Sequence, residues 1–375
     1  MQYTNARIFT PEGFLFGSFR VEEGRFTEIV PEAAEGIDLA GKTVIPGLID
    51  IHTHGNSGAD FSDGSADGLR AMAAYLAKHG VTSFVPTSMT FPYDVLDQAF
   101  QTAATLHESR PEGCARVVGI HMEGPFFSEK KKGAQNAAFL KAPDYAAFLK
   151  LYESCKGLIK IVDIAPELPG AAEFTKKAAA LSVVSVAHTD ADYNDAAAVF
   201  DAGARHLTHL YNAMPPLLHR APGVIGAASE RENVTAELIS DGLHVHPSAV
   251  RAAFRLFPGR ICLISDAARC CGMPDGEYSL GGQKVFLKEG AARLSDGTLA
   301  GSAANLFGCL VNAIRFGIPE DEAIRAATCT PAKEIGAESE IGSIAPGKRA
   351  DFAVVSSDWT LEQVFIDGQP VYHLE

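Results

Sequence analysis

At 375 residues, with 47% hydrophobic and 21% charged side chains, the chain has the composition of a folded globular protein with room for a barrel-sized core and a smaller domain. Its 46 acidic residues outnumber 32 lysines and arginines, and the net charge of −14 argues against nucleic acid or an anionic membrane as the main partner. Seven scattered cysteines make no disulfide framework, the N-terminus carries no charged-then-apolar leader, and no apolar run is long enough to span a bilayer, so the expected setting is cytoplasmic and reducing.

Residues 1–43 alternate apolar side chains with glycine and charge, as short antiparallel strands do. Residues 342–375 read the same way, and Asp367-Gly368 is a hairpin-turn signal. One small β-sandwich domain built from both termini is expected. Between them, strand and helix patterns alternate. Candidate strands fall at 48–52, 81–87, 117–122, 159–164, 182–187, 205–209, 234–240 and 261–265, mostly rich in Val and Ile, as strands buried on both faces are. Leu69, Met72, Ala73 and Leu76 follow helical spacing, with Gly80 as the stop. Tyr145, Phe148, Leu149 and Tyr152 do so behind Pro143, taken as a first-turn residue. Eight β-α units over 44–341 predict an α/β fold, a (β/α)8 TIM-like barrel. An open doubly wound sheet is the alternative, but no glycine-rich dinucleotide fingerprint follows the first strand. Residues 273–302, with Asp275-Gly276, Gly281-Gly282 and Asp296-Gly297, predict a hairpin insertion after the eighth strand.

Catalytic groups of such barrels sit at the C-terminal ends of the strands. Strand one ends at His52 and His54, two apart and therefore on one face. Strand three ends at Glu123, strand five at His188, strand six at His209 and strand eight at Asp266. So many ionisable groups in one apolar mouth are costly unless a metal or substrate offsets them. Glu123, His188 and His209 form the two-histidine, one-carboxylate set of a catalytic metal site with an open position. His52, His54 and Asp266 have the chemistry to hold a second ion, with Glu123 bridging. Asp266 is placed to move the proton. The reaction class is hydrolysis of a polarised carbonyl.

This pattern resembles the amidohydrolase superfamily and, within it, the N-acetylglucosamine-6-phosphate deacetylase family. The resemblance rests on Ile-Pro-Gly-Leu-Ile-Asp-Ile-His-Thr-His-Gly (45–55), His-Met-Glu-Gly-Pro-Phe (121–126), Lys-Lys-Gly-Ala (131–134), Ala-His-Thr-Asp-Ala (187–191), Thr-His-Leu-Tyr-Asn-Ala-Met-Pro-Pro (208–216), Ile-Ser-Asp-Gly-Leu-His-Val (239–245), Ser-Asp-Ala (265–267) and Leu-Ala-Gly-Ser (299–302). It implies one or two divalent ions, zinc first and iron second, on Glu123, His188 and His209, with His52 and His54 beside them, and Asp266 as general acid/base. It implies that Asn212, Ala213 and Arg220 meet a sugar phosphate, that Ala134, Gln135, Leu299, Ala300 and Gly301 line the sugar, and that His244 reaches across a homodimer interface to the partner's substrate. Family members commonly carry histidine where this chain has Gln135, so another N-acyl amino-sugar phosphate, such as the galactosamine epimer, is the alternative substrate. A non-catalytic scaffold predicts lost strand-end residues, and all are present. Adjacent Cys270 and Cys271 read first as plain loop, second as extra ligands or redox-sensitive thiols.

Overall fold

Runs mostly rich in apolar residues become the eight parallel strands of a barrel: Leu48–Thr53, Val81–Ser88, Ile120–Met122, Ile159–Ile164, Val183–Val186, His206–Leu207, Thr235–Ile239 and Ile261–Ile264, each hydrogen-bonded to the next. The computed structural model describes every residue except Glu32, Ala34 and Glu375. The ring closes where the Asp266 N–H donates to the His52 carbonyl at 2.9 Å and Thr53 bridges Ala267. Helices lie between the strands, as the alternation predicts.

Two strands depart most from their sequence pattern. The third is interrupted between Arg116–Val117 and Ile120–Met122. There Gly119 lies under the Lys160 stem, and a Cβ at that position would come within 2.4 Å of Lys160 Cγ. The sixth keeps only His206–Leu207 in the ladder, because His209 turns out of it with φ 30°.

The first helix, Ala66–Lys78, buries Leu69, Met72, Ala73 and Leu76 as its spacing predicts, and Ser65 caps it by accepting the Gly68 N–H. Gly80 follows with φ +85°. In Tyr145–Ser154 the inward residues are Phe148 and Leu151, while Tyr145, Leu149 and Tyr152 are half-buried. Asp144 is the cap and Pro143 lies outside the helix, not in its first turn. The helix is rotated from the expected face because Phe148 packs edge-on to Phe174, centroids 5.6 Å apart.

The two ends of the chain share one eight-stranded sheet, in which Thr43–Pro46 pairs with Gln2–Thr10 on one side and Phe352–Val355 on the other. The two layers of the expected sandwich belong to this single sheet rolled over on itself. Phe26 and Phe352 lie four strands apart in its order, yet their rings are 5.9 Å apart, with Tyr3 and Phe19 beside them. Asp367 and Gly368, both at positive φ, form the two-residue turn between Leu361–Ile366 and Gln369–His373. The insertion after the eighth strand is a three-stranded antiparallel sheet, Gly276–Leu280, Gln283–Lys288 and Ala291–Leu294. Its inner face packs Leu280, Val285, Leu287 and Ala292 against Met89, Ala268 and Cys270 beside the barrel mouth. Among the described residues no helix is long and apolar enough to cross a membrane.

Candidate metal centre and active site

At the C-terminal mouth of the barrel, Glu123 Oε1 lies 3.0 Å from His188 Nε2 and 3.2 Å from His209 Nε2, and the two nitrogens are 3.1 Å apart. A second group adjoins it. His54 Nε2 lies 3.4 Å from His52 Nε2 and 3.2 Å from Asp266 Oδ1, and 3.3 Å from the other Glu123 oxygen, Oε2. Glu123 therefore stands between both groups, with Oε2 toward His54 and Oε1, on the side of His188 and His209, also 3.8 Å from His52 Nε2. All six side chains, taken from five strand ends, come together as the sequence predicts.

In each of the four histidines the far nitrogen is already committed. Nδ1 of His188 faces the Lys131 carbonyl at 2.9 Å, that of His209 the Asn212 carbonyl at 3.2 Å, and that of His54 the Thr87 carbonyl at 3.1 Å. His52 Nδ1 meets Glu237 Oε2 at 2.8 Å. A carbonyl or carboxylate oxygen accepts, so Nδ1 carries a proton and Nε2 is the nitrogen left to bind a cation once any proton on it is displaced, as in metal-ligating histidines. The donor set thus fits a divalent cation in chemistry as well as in position.

Backbone conformation serves the same end. His188 (φ 43°), His209 (φ 30°) and Asp266 (φ 48°) all sit in the left-handed region, unusual for residues with a Cβ. The chain turns outward at each while its side chain stays aimed at the axis. Gly124, directly after Glu123, has φ +96°, and a Cβ there would meet Thr90 Oγ1 at 2.2 Å. Gly124→Ala is expected to destabilise the fold by about 1–3 kcal/mol or more, read as a lower midpoint in urea; an unchanged midpoint would contradict this packing.

The electrostatics follow from burial and pairing. Burial alone would raise Glu123, but hydrogen bonds to His188 and His209 and the charges of His54 and His52 hold it well below the usual carboxylate range. Asp266 is lowered too: burial opposes, and the hydrogen bond to His54 with the charges of His52, His54 and His209 prevails. Burial would lower the imidazoles, yet Asp266 and Glu123 push His54 up to about 9, and Glu123 pushes His209 up to about 9. Protons thus hold the place that a cation can take.

The network beneath was not picked out from sequence. Buried Glu237 accepts from the His209 N–H at 3.0 Å, faces His52 Nδ1 and reaches His206 Nε2 at 3.2 Å. His52, His121 and Glu237 form a third group with metal-like spacing. Its nitrogens are otherwise engaged, however: His121 Nε2 lies 2.8 Å from Asp163 and its Nδ1 3.2 Å from the Ile51 carbonyl. It is a structural hydrogen-bond cluster. The signal was available, since Glu237 and Asp163 are each the single acid of a strand and are flanked on both sides by apolar residues.

A cavity of about 340 Å³ opens over the centre. Ala134, Gln135, Asn212, Ala213, His244, Leu299 and Gly301 line it as expected, with Met89, Lys130, Lys131, Leu280 and Thr298 in addition. Four of the expected residues have positions or partners of their own. Ala300 points its methyl into the core under the insertion and is fully buried there. Arg220 is exposed on its loop and does not line the cavity. His244 lines the cavity of its own chain, where Asp241 Oδ2 lies 2.7 Å from its Nδ1. Gln135 has both ends of its amide engaged within the protein, Oε1 by the Thr90 N–H at 2.8 Å and Nε2 by Glu123 Oε2 at 2.7 Å. Cys270 and Cys271 are buried outside the metal-type clusters found among the described residues, and burial pushes their thiols up to about 11 and about 12. A larger cavity, about 920 Å³, lies at the opposite ends of the strands, where Arg116 and Arg349 are paired with Asp351, Asp367 and Glu340. None of the metal-type clusters borders it.

A (β/α)8 barrel whose mouth gathers histidines and carboxylates able to bind metal is the arrangement of an amidohydrolase, and residues 43–371 match the Amidohydrolase family. The chain is 40% identical over 326 residues to the N-acetylglucosamine-6-phosphate deacetylase of Bacillus subtilis (strain 168), covering 85% of this chain and 82% of that protein. It is 34% identical over 366 residues to the N-acetylgalactosamine-6-phosphate deacetylase of Escherichia coli O157:H7, covering 97% of each. A mutant N-acetyl-D-glucosamine-6-phosphate deacetylase from Mycobacterium smegmatis, solved in complex with N-acetyl-D-glucosamine-6-phosphate, superimposes with a TM-score of 0.94 at 31% identity over 99% of both chains. The chain belongs to the amidohydrolase family and, within it, to the N-acetylglucosamine-6-phosphate deacetylase family.

Proposed function

We propose that this protein removes the N-acetyl group of N-acetylglucosamine 6-phosphate, giving glucosamine 6-phosphate and acetate. The observation that carries this reading is the meeting of Glu123 Oε1 with the Nε2 atoms of His188 and His209, with Asp266 beside them under an open cavity. A divalent ion on Glu123, His188 and His209 supplies Lewis acidity to the amide carbonyl and lowers the pKa of water. Zinc suits these ligands best and iron next. His52 and His54 are the ligands for a second ion.

Asp266 does the proton work. Its carboxylate, held ionised against His54, takes a proton from the attacking water. It returns that proton to the amide nitrogen as the C–N bond breaks, so the sugar leaves as an amine and the hydroxyl stays on acetate. Asn212, Ala213, Ala134, Leu299 and Gly301 surround the sugar phosphate, and Lys130 and Lys131 offer it donors, with His244 beside them. Arg220 stands outside this chain's cavity, with exposed Leu217 and Leu218 close by in sequence and exposed Leu243 next to His244. A homodimer that buries these leucines and brings Arg220 to a neighbouring copy's phosphate is the assembly proposed, in a cytoplasmic enzyme. The chain divides into a catalytic barrel, 44–341, and a small β domain, 1–43 with 342–375, with strand Thr43–Pro46 as the joint.

The galactosamine epimer is kept as second reading because the relative of that activity matches the chain over 97% of both lengths. Purified protein is expected to release acetate from N-acetylglucosamine 6-phosphate, faster than from the galactosamine epimer and far faster than from unphosphorylated N-acetylglucosamine, with at least one ion per chain. No acetate from either phosphate in metal-loaded protein would sink the reading. Equal rates with and without phosphate would remove the roles of Arg220 and His244.

A further inference from the structure

The geometry points to Gln135 as a positioning residue that locks the Glu123 carboxylate for metal binding, and not as a group that reads the sugar. The inference rests on the metal-hydrolase reading and concerns how its first ligand is held. Gln135 borders the cavity but is only 2% exposed. Its orientation is fixed by a partner with no choice of role. The Thr90 backbone N–H can only donate, so the atom facing it at 2.8 Å is Oε1. Nε2 is then turned toward Glu123 and donates to Oε2 at 2.7 Å. Nε2 has one other neighbour within reach, Met89 Sδ at 3.8 Å. The backbone is pinned as well, since the Gln135 N–H donates to the Lys132 carbonyl at 2.9 Å.

The consequence falls on Glu123. A carboxylate with one anchored oxygen cannot swing about its own axis. With Oε2 held by Gln135, Oε1 stays where the Nε2 atoms of His188 and His209 converge, 3.0 and 3.2 Å away. The clamp also joins three segments that otherwise meet only at the mouth: Met89-Thr90 after the second strand, Glu123 after the third, and the 132–135 turn. Glutamine suits this task because its amide is uncharged. It donates to the carboxylate without adding a positive charge where a cation must bind, whereas a histidine there can protonate and compete. The sugar has little to gain from Gln135, since the carbonyl is consumed by Thr90 and the nearer N–H by Glu123.

The test separates holding a ligand from binding a sugar. Zn²⁺ affinity of the whole protein is measured by competition with a chromophoric chelator, and KM for N-acetylglucosamine 6-phosphate at saturating Zn²⁺. Gln135→Leu is expected to weaken Zn²⁺ binding by about tenfold to a hundredfold, the usual loss when a group supporting a metal ligand is removed, with KM within about twofold of the parent. Gln135→His, which restores an N–H donor, is expected to recover part of that affinity. Unchanged Zn²⁺ affinity with a KM raised tenfold or more makes Gln135 a sugar-binding residue and overturns the proposal. So does a Gln135→His protein that binds Zn²⁺ no better than Gln135→Leu. If Gln135→Leu does not fold, Gln135→His alone decides: Zn²⁺ affinity between the parent's and a tenfold loss supports the clamp, and unchanged affinity with a raised KM overturns it. The chelator titration uses no substrate, so it stands even where parent protein releases no acetate, a result that instead strikes the proposed activity.

Discussion

Asp266→Asn is expected to lower kcat by about a hundredfold to ten-thousandfold, the range attributed to a positioned general acid/base. The asparagine keeps the shape and one hydrogen-bond acceptor beside His54, so the cavity and the ion on Glu123, His188 and His209 are retained. What it loses is the capacity to accept a proton from water and pass it on. Burial favours the neutral acid, and the neighbouring imidazoles reverse that and keep Asp266 ionised. An amide cannot be ionised by any neighbour. Turnover and metal content are measured on one preparation. Parent-like turnover would falsify the proton-transfer role, and loss of the first ion would show that the residue acts by holding metal.

The second large effect concerns Glu123. Glu123→Gln removes the one carboxylate shared by both groups of histidines and is expected to abolish ion binding at the first site, and turnover with it. Magnitude aside, the sign of the pH dependence is fixed by the site. His54 and His209 are raised to about 9 in the metal-free cluster, so at neutral pH they are protonated. A cation must displace those protons, and its apparent affinity therefore rises with pH up to about 9 and falls as the solution is acidified. Calorimetry at pH 7 in two buffers of different ionisation enthalpy should report protons released to buffer on Zn²⁺ binding. A heat independent of buffer would contradict the protonated cluster. The same titration on Glu123→Gln should show no binding at the first site.

The barrel was legible because strands buried on both faces favour Val and Ile, and eight short runs, most of them rich in these residues, alternate with helical spacing. Register and ends were less so. His209 follows apolar Leu207 closely enough to read as strand, and only its left-handed φ takes it out of the ladder. The six ionisable residues were legible by type, since histidine and carboxylate at the end of an apolar run have few reasons to be there. Their support was not. Glu237, Asp163 and His121 look in sequence like isolated polar residues within strands, and their meaning depends on which strands become neighbours. The ring direction of His244 is set by an Asp three residues earlier, a local hydrogen bond with no signature in spacing. Gln135 lay in the expected pocket, but the partner of its amide, the Thr90 backbone, has no side-chain signal at all.

The pairing of Thr43–Pro46 with Phe352–Val355 also bears on how the chain is made. Pro46 and Phe352 are partners in that ladder, roughly three hundred positions apart in sequence, and closing so long a loop is entropically slow. Strand Leu48–Thr53, with His52 near its end, is separated from Pro46 by Gly47 alone. On a ribosome the barrel strands emerge in order while Thr43–Pro46 waits for its partner. One side of the anchor of the histidine strand can pair early with Gln2–Thr10, and the other closes only after every group the histidines must meet has been synthesised.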